Sequence, residues 1–263
     1  MGKLKEKECF LLDMDGTIYL GDELIYGAKE FLKKIKEKNK KYLFLTNNSS
    51  KNKGSYVEKL GKLGIKAEEN EIFTSGEATT IYLNKIKKGA RIFLLGTKAL
   101  EDEFEKAGFK LIKERDQEID FVVLGFDTTL TYEKLWIACD YISEGVKYIA
   151  THPDYVCPLA GRKCMPDVGS IIALIKGTTG KEPLVVGKPN KYIVDGILEK
   201  YKLKKEDLCI VGDRLYTDIR TGLDNGLTSI LVMSGETNKK MLASTEFVPD
   251  YVYDSINEMI EEI

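Results

Sequence analysis

Histidine is nearly absent from this sequence, and its scarcity limits which metals the chain could hold. His152 is the only histidine among 263 residues. Two of the five cysteines, Cys157 and Cys164, lie close together, but a zinc site would need two further ligands nearby. We therefore do not expect a zinc site.

The sequence also lacks an excess of charge of either sign. Its 40 basic residues nearly balance 42 acidic ones, which gives a formal net charge of −2. No basic block with interleaved aromatic residues stands out, so a nucleic-acid polymer is not an expected partner. Small anions remain candidates, because a local positive site is enough to bind them.

Long apolar runs are missing as well. None approaches the roughly 18 residues of a membrane-spanning helix, and the opening MGKLKEKECF contains no apolar leader segment. We therefore expect no membrane partner, no secretory signal and a cytoplasmic location. The cysteines agree with this, because an odd number of scattered residues is typical of reduced thiols. They are Cys9, Cys139, Cys157, Cys164 and Cys209.

The sequence does contain a regular alternation of short apolar runs with helix-length amphipathic segments. This alternation predicts an α/β fold with a largely parallel sheet covered on both faces. Strands are predicted at 10–14, 42–46, 91–95, 121–124, 148–151, 184–187, 208–212 and 228–233. Helices are predicted at 28–38, 56–63, 99–107, 132–144, 170–176 and 192–201.

Polar residues with complementary chemistry follow four of these strands. They are Asp13 and Asp15 after the apolar run 10–12, Thr46, Asn47 and Asn48 after 42–45, Lys188 after 184–186, and Asp213 and Asp218 after 208–211. Ligands in open α/β sheets bind beyond the carboxyl ends of the strands, so these groups would converge if their strands are neighbours.

Several converging carboxylates would repel one another, and a hard divalent cation is the natural compensation. Mg²⁺ prefers oxygen ligands and keeps some positions for water and phosphate oxygens. A lysine, a hydroxyl and amide donors suit the other oxygens of a phosphoryl group. One aspartate can attack phosphorus while the second acts as general acid and base.

Each group taken alone has a simpler interpretation. Asp-x-Asp-Gly also occurs in calcium loops, although Ile18, Tyr19 and Leu20 interrupt the ligand pattern such a loop needs. The Thr46 segment could be a helix cap, Lys188 a solvated surface lysine, and Gly212-Asp213 a turn. The shared position after apolar strands favours one site over four coincidences.

These residues resemble the four motifs of the haloacid dehalogenase (HAD) superfamily of phosphotransferases. Asp13-Met-Asp-Gly-Thr17 is similar to the first motif, Thr46 to the second, Lys188 to the third and Gly212-Asp213 with Asp218 to the fourth. The segments Tyr19-Leu20-Gly21, Thr-Asn-Asn-Ser and Gly-Lys-Pro are similar to the NagD-like or p-nitrophenyl-phosphatase branch.

The resemblance implies a Rossmann-like core at 1–79 and 184–263, with an inserted α/β cap domain at 80–183 that carries substrate specificity. It also implies a Mg²⁺-dependent phosphatase for small-molecule phosphate esters. Asp13 would be the nucleophile and Asp15 the acid and base. The metal would be held by Asp13, the Asp15 carbonyl and Asp213, with Asp218 in support. Thr46, Asn47, Asn48 and Lys188 would hold the phosphate.

The cap departs from the branch in ways that leave the substrate open. Cys157 stands where relatives carry a specificity residue, and a small thiol offers little grip on a charged leaving group. His152 is either a substrate contact or a structural residue. The alternative function is a phosphate-ligand sensor on the same fold. The Asp-x-Asp spacing and the large insertion argue against a receiver domain. The sequence leaves open whether the protein assembles into a homo-oligomer.

Overall fold

The computed structural model describes residues 3–115, 117–159 and 163–263. The chain separates into two compact units. Unit 1 comprises Met1–Thr46, Lys53–Phe73 and Lys188–Ile263, and unit 2 comprises Asn47–Asn52 and Thr74–Gly187. The domain boundaries predicted from the sequence, with a core at 1–79 and 184–263 and a cap at 80–183, stay a prediction.

Unit 1 is built on a six-stranded sheet in the order β15-β14-β13-β1-β4-β5. Its strands are β1 Cys9–Leu12, β4 Lys41–Thr46, β5 Ile72–Thr74, β13 Leu208–Gly212, β14 Thr228–Val232 and β15 Tyr251–Tyr253. The pairings from β15 through β4 are parallel. A small antiparallel pair, β2 Tyr19–Leu20 with β3 Glu23–Leu24, follows β1.

Helices cover this sheet because their apolar residues recur on one face. The helices of unit 1 are α1 Ala28–Glu37, α2 Lys53–Lys62, α7 Lys191–Tyr201, α8 Arg220–Asn225 and α9 Lys239–Ser244. In α1, Phe31 and Ile35 are fully buried, and the Phe31 ring meets the Phe10 ring of β1 edge-on at 5.9 Å. Burying such side chains contributes about 1.5–3 kcal/mol each.

Unit 2 has its own parallel sheet in the order β12-β9-β8-β6-β7. The strands are β6 Arg91–Leu95, β7 Lys110–Ile112, β8 Phe121–Leu124, β9 Lys147–Ala150 and β12 Leu184–Val185. An antiparallel hairpin joins β10 Val156–Leu159 to β11 Lys163–Pro166. The helices are α3 Ser75–Ile86, α4 Lys98–Lys106, α5 Tyr132–Ser143 and α6 Val168–Thr179.

The α/β class with central parallel sheets is confirmed. The predicted strands at 91–95, 121–124 and 208–212 match β6, β8 and β13 at both ends, because each is a continuous apolar run buried on both faces. In the described parts of the chain, no helix combines the length and the apolar character that crossing a bilayer requires.

Candidate active site

A buried lysine joins two aspartates in unit 1. The ammonium group of Lys188 lies 2.6 Å from Asp13 Oδ1 and 2.6 Å from Asp218 Oδ1. Lys188 and Asp218 are almost fully buried, and Asp13 is partly so. Such charges are tolerated inside a protein only when they are paired and hydrogen-bonded.

Strand register explains why Asp13, Asp213 and Thr46 lie together. Lys188 is not placed in this way, because it follows β12, which belongs to the unit 2 sheet. Leu12, the last residue of β1, pairs with Val211 of β13 and Phe44 of β4. Asp13 and Asp213 therefore follow β1 and β13, and Thr46 ends β4, at the carboxyl ends of three adjacent parallel strands. Asp13 N donates to Val211 O at 2.9 Å, which extends the register by one residue. Thr46 ends β4 as a buried residue.

Asp213 completes a carboxylate cluster that could hold a cation. One carboxylate oxygen each from Asp13, Asp213 and Asp218 lie within 4.8 Å of one another. Asp213 Oδ2 accepts a hydrogen bond from Glu236 N at 2.6 Å, whereas its buried Oδ1 has no hydrogen-bond partner in the described structure. A buried carboxylate oxygen without a donor fits a hard divalent cation, which takes oxygen ligands.

The pKa values of Asp13, Asp213 and Lys188 are shifted in the directions that an excess of buried negative charge causes. Burial raises the pKa of Asp213, and the charges of Asp13 and Asp218 raise it further. The pKa of Asp13 is also raised by burial, against the opposing effect of Lys188. For Lys188, burial alone would lower the pKa, but Asp13 and Asp218 raise it above its ordinary value. The lysine is therefore charged, and a dication would satisfy the remaining carboxylates.

Asp15 occupies a different environment from Asp13. It is exposed to solvent. Desolvation by the surrounding chain nevertheless raises its pKa, and Lys59 and Arg214 oppose that effect. Gly16 follows with φ of +88°, the left-handed conformation that glycine adopts without strain.

Arg214 is a charged residue of this site that was not predicted from the sequence. Burial alone would lower its pKa, but Asp13 and Asp213 are among the charges that raise it above its ordinary value. Its field in turn lowers the pKa of Asp13, Asp15 and Asp213. The sequence contained a signal, because Arg214 directly follows Asp213 at the end of a buried strand.

The two predicted phosphate-binding asparagines belong to unit 2. Asn47 Nδ2 donates to the Asp154 carboxylate at 3.2 and 3.3 Å. The side-chain oxygen of Asn48 accepts bonds from Ser50 N and Ser50 Oγ at 2.9 and 2.7 Å, which forms a local turn. Both asparagines therefore shape the loop that follows β4.

The predicted cap residues His152 and Cys157 also lie in unit 2. His152 is fully buried, with Nδ1 2.9 Å from Thr151 Oγ1 and Nε2 2.9 Å from Asp167 Oδ1. Both ring nitrogens thus have partners within the unit, which favours the structural interpretation of this residue. Cys157 is half-buried on β10, opposite Met165 of β11. Substrate contact by either residue stays a prediction.

Known proteins share both the sequence and this fold. A family described as haloacid dehalogenase-like hydrolase matches residues 10–110, and one described as HAD-hydrolase-like matches 185–259. The chain is 35% identical to an acid sugar phosphatase of Staphylococcus aureus over 260 residues, 99% of both proteins.

Two solved structures extend the comparison. A 4-nitrophenylphosphatase from Thermotoga maritima is 46% identical, with a TM-score of 0.94 over 99% of each chain. A glycerol phosphate phosphatase from Mycobacterium tuberculosis in complex with magnesium is 28% identical, with a TM-score of 0.90 over 98% of this chain and 78% of that one. The predicted family and enzyme class are confirmed: the chain belongs to the haloacid dehalogenase-like hydrolases, among their NagD- and p-nitrophenyl-phosphatase-type phosphatases.

Proposed function

We propose that the protein hydrolyses small-molecule phosphomonoesters with Mg²⁺, through a phosphoryl group carried on Asp13, in the cytoplasm. The observation that carries the proposal is the arrangement around Lys188. This buried cation contacts Asp13 and Asp218, beside an Asp213 oxygen that lacks a hydrogen bond in the described structure. Named relatives act as phosphatases, and one was crystallised with magnesium.

Asp13, Asp213 and the Asp15 carbonyl would hold Mg²⁺, and Asp218 would support Lys188. When bound, Mg²⁺ supplies positive charge that neutralises the carboxylates and the phosphoryl oxygens. The Lys188 ammonium lowers the pKa of Asp13 against the effect of burial, and it would add a donor for the phosphoryl group. Thr46 would supply a further donor for it.

The reaction divides into two proton-balanced steps. A carboxylate oxygen of Asp13 attacks phosphorus, the bond from phosphorus to the ester oxygen breaks, and Asp15 gives that oxygen its proton. Asp15, now ionised, takes a proton from water as the water oxygen attacks phosphorus. The bond from phosphorus to Asp13 then breaks, which releases inorganic phosphate and restores both carboxyl groups.

Replacement of each aspartate tests its role. Asp13→Asn should abolish turnover of p-nitrophenyl phosphate, while Asp195→Asn, which changes a half-exposed aspartate of α7 paired with Lys191, should leave it unchanged. Asp15→Asn should release p-nitrophenolate once, because this leaving group needs no proton. It should then retain a phosphoryl group, measurable by intact-protein mass spectrometry.

Activity in Asp13→Asn, or full turnover by Asp15→Asn, would contradict the assignments. Binding of phosphomonoesters by the wild type without phosphate release in the presence of Mg²⁺ would instead support the sensor alternative. A panel of sugar phosphates, glycerol phosphate, nucleoside monophosphates and p-nitrophenyl phosphate, assayed with and without Mg²⁺, identifies the preferred substrate class.

A further inference from the structure

We propose that Ser234-Gly235-Glu236-Thr237, the 234–237 segment, positions Asp213 for cation binding, so that its residues set the Mg²⁺ affinity without touching substrate. The segment begins two residues after β14, which is paired with β13 in the sheet. It therefore emerges at the same edge as Asp213. The inference rests on the proposed function, because it assigns Asp213 to the metal.

Three donors of the segment fix Asp213. Glu236 N donates to Asp213 Oδ2 at 2.6 Å. Thr237 donates twice to the Asp213 carbonyl oxygen, from Oγ1 at 2.5 Å and from N at 3.3 Å. Thr237 is buried. Together these bonds hold both the backbone and one carboxylate oxygen, so Oδ1 is left for a ligand.

Two glycines make this approach sterically feasible. A Cβ on Gly235 would lie 2.0 Å from Asp213 Oδ2, and one on Gly16 would lie 2.4 Å from the same oxygen. Both distances are far below van der Waals contact, so a side chain at either position would displace the carboxylate. Ser234 Oγ also donates to Gly16 O at 2.7 Å. The segment therefore fixes the turn after Asp15 as well as Asp213.

The side chain of Glu236 extends the same role to Arg214. Glu236 Oε2 lies 3.1 Å from Arg214 Nε and accepts a hydrogen bond from Tyr216 OH, also at 3.1 Å. Arg214 lowers the pKa of Asp213 and, together with Lys188, that of Asp13. The 234–237 segment thus donates a hydrogen bond to the Asp213 carboxylate and also places the Glu236 carboxylate against the Arg214 guanidinium.

The Thr237 hydroxyl gives the most direct test. Thr237→Val removes the hydroxyl and keeps the shape, whereas Thr237→Ser keeps the hydroxyl. Mutation of a residue that orients a metal ligand typically lowers the metal affinity by about 10–100-fold. We expect Thr237→Val to raise the Kd for Mg²⁺, measured calorimetrically without substrate, by at least about tenfold. Thr237→Ser should restore the wild-type Kd.

A matched control and a second variant separate positioning from folding. Thr178→Val removes a hydroxyl that donates within α6 of unit 2, and it should leave the Kd unchanged. If Thr237→Val yields no folded protein, the Kd for Mg²⁺ is measured for Ser234→Ala instead. We expect a smaller rise in Kd for that variant. The Tm of each variant in EDTA shows whether the fold is retained.

The outcomes distinguish this inference from the proposed function. Wild-type protein that binds Mg²⁺ and hydrolyses p-nitrophenyl phosphate, with a folded Thr237→Val or Ser234→Ala variant of unchanged Kd, overturns the positioning role alone. Wild-type protein that neither binds Mg²⁺ nor releases phosphate overturns the proposed function, and the inference with it. A raised Kd in the valine variant that serine reverses supports both.

Discussion

Two buried polar clusters, one in each unit, differ in whether their hydrogen bonds are complete. In unit 2, His152 bonds to Thr151 on one side and to Asp167 on the other, and the Thr151 hydroxyl lies 3.0 Å from Ser49 Oγ. In unit 1, the site around Lys188 keeps an Asp213 oxygen without a hydrogen bond among the described residues. The first network is closed, whereas the second needs a ligand.

Physical chemistry gives these two arrangements different consequences. A buried polar group costs free energy unless it is hydrogen-bonded, so a closed network stabilises one conformation of its unit. A buried carboxylate oxygen with no donor destabilises the protein until a proton or a cation arrives. We therefore expect substitutions in unit 1 to affect chemistry and metal binding, and substitutions in the unit 2 network to affect stability.

The largest expected effect follows removal of the buried lysine. Lys188→Met removes the buried ammonium group that contacts Asp13 and Asp218, so kcat for p-nitrophenyl phosphate should fall by roughly 10²–10³-fold or more. The free energy of unfolding in EDTA, measured with urea, should fall by about 3 kcal/mol.

A lysine of unit 2 offers a matched control for that variant. Lys134 lies 2.9 Å from the buried carboxylate of Asp127. Lys134→Met should also lower stability, while kcat changes little. Retention of kcat within a few-fold in Lys188→Met would remove the contrast between the two units.

Addition of Mg²⁺ should stabilise the protein, and more so at higher pH. At a hundred times its Kd, a ligand specific for the native state adds about 2.7 kcal/mol. The raised pKa of Asp213 means that the native carboxyl keeps a proton that the unfolded chain has already lost. That proton-linked stability is present at low pH and fades as pH rises through the native pKa. Mg²⁺ then replaces the proton.

Thermal unfolding at pH 5.5 and pH 8, with Mg²⁺ and with EDTA, measures this linkage. The rise in Tm on adding Mg²⁺ should be larger at pH 8, and Asp213→Asn should abolish it at both values. An equal rise at both pH values, or one that survives Asp213→Asn, would mean that the cation binds elsewhere.

A smaller effect is expected when the closed network is opened. His152→Ala removes one hydrogen-bond partner each from the buried Asp167 carboxylate and the Thr151 hydroxyl, which keep Val168 N and Ser49 Oγ, so the free energy of unfolding should fall by about 1–3 kcal/mol. The Kd for Mg²⁺ should stay at the wild-type value. If KM rises while the free energy of unfolding is unchanged, His152 is a substrate contact instead.

The sequence predicted the central strands well, because continuous apolar runs between helices have few alternative structures. It did not predict α3, whose sequence includes Ser75, Gly76, Thr79 and Thr80. These residues have low helix propensity, and burial together with the Thr74 cap overrides it. Edge strand β7, with only three half-exposed or exposed residues, was also not predicted.

The predicted site divides in the same way. Lys188 follows β12, a strand of the other sheet, so the strand adjacency expected for it is not found and does not account for its contacts with Asp13 and Asp218. Asp13 and Asp213 could be predicted to converge, because the strands that they follow, β1 and β13, are neighbours in one parallel sheet. The role of the 234–237 segment could not, since it depends on backbone N–H groups and on space beside glycines. Neither property is visible in a residue type.

The smallest expected effect concerns thiol reactivity, which should again separate the two units. In unit 1, burial raises the pKa of Cys9 to about 12, partly opposed by Lys41, and also raises that of Cys209. Both thiols should stay protonated and inaccessible to a disulfide reagent at pH 8. In unit 2, Cys164 is exposed on β11.

The hairpin register sharpens this last prediction. Cys157 pairs with Met165 while Cys164 pairs with Pro158, so the two thiols lie on opposite faces of the hairpin and cannot form a disulfide with each other. We expect one fast-reacting thiol in the native protein, lost in Cys164→Ser, and a slower reaction at Cys157. Rapid modification of Cys9 or Cys209 before unfolding would contradict it, because a thiol in a well-packed parallel sheet becomes reactive only when the sheet opens.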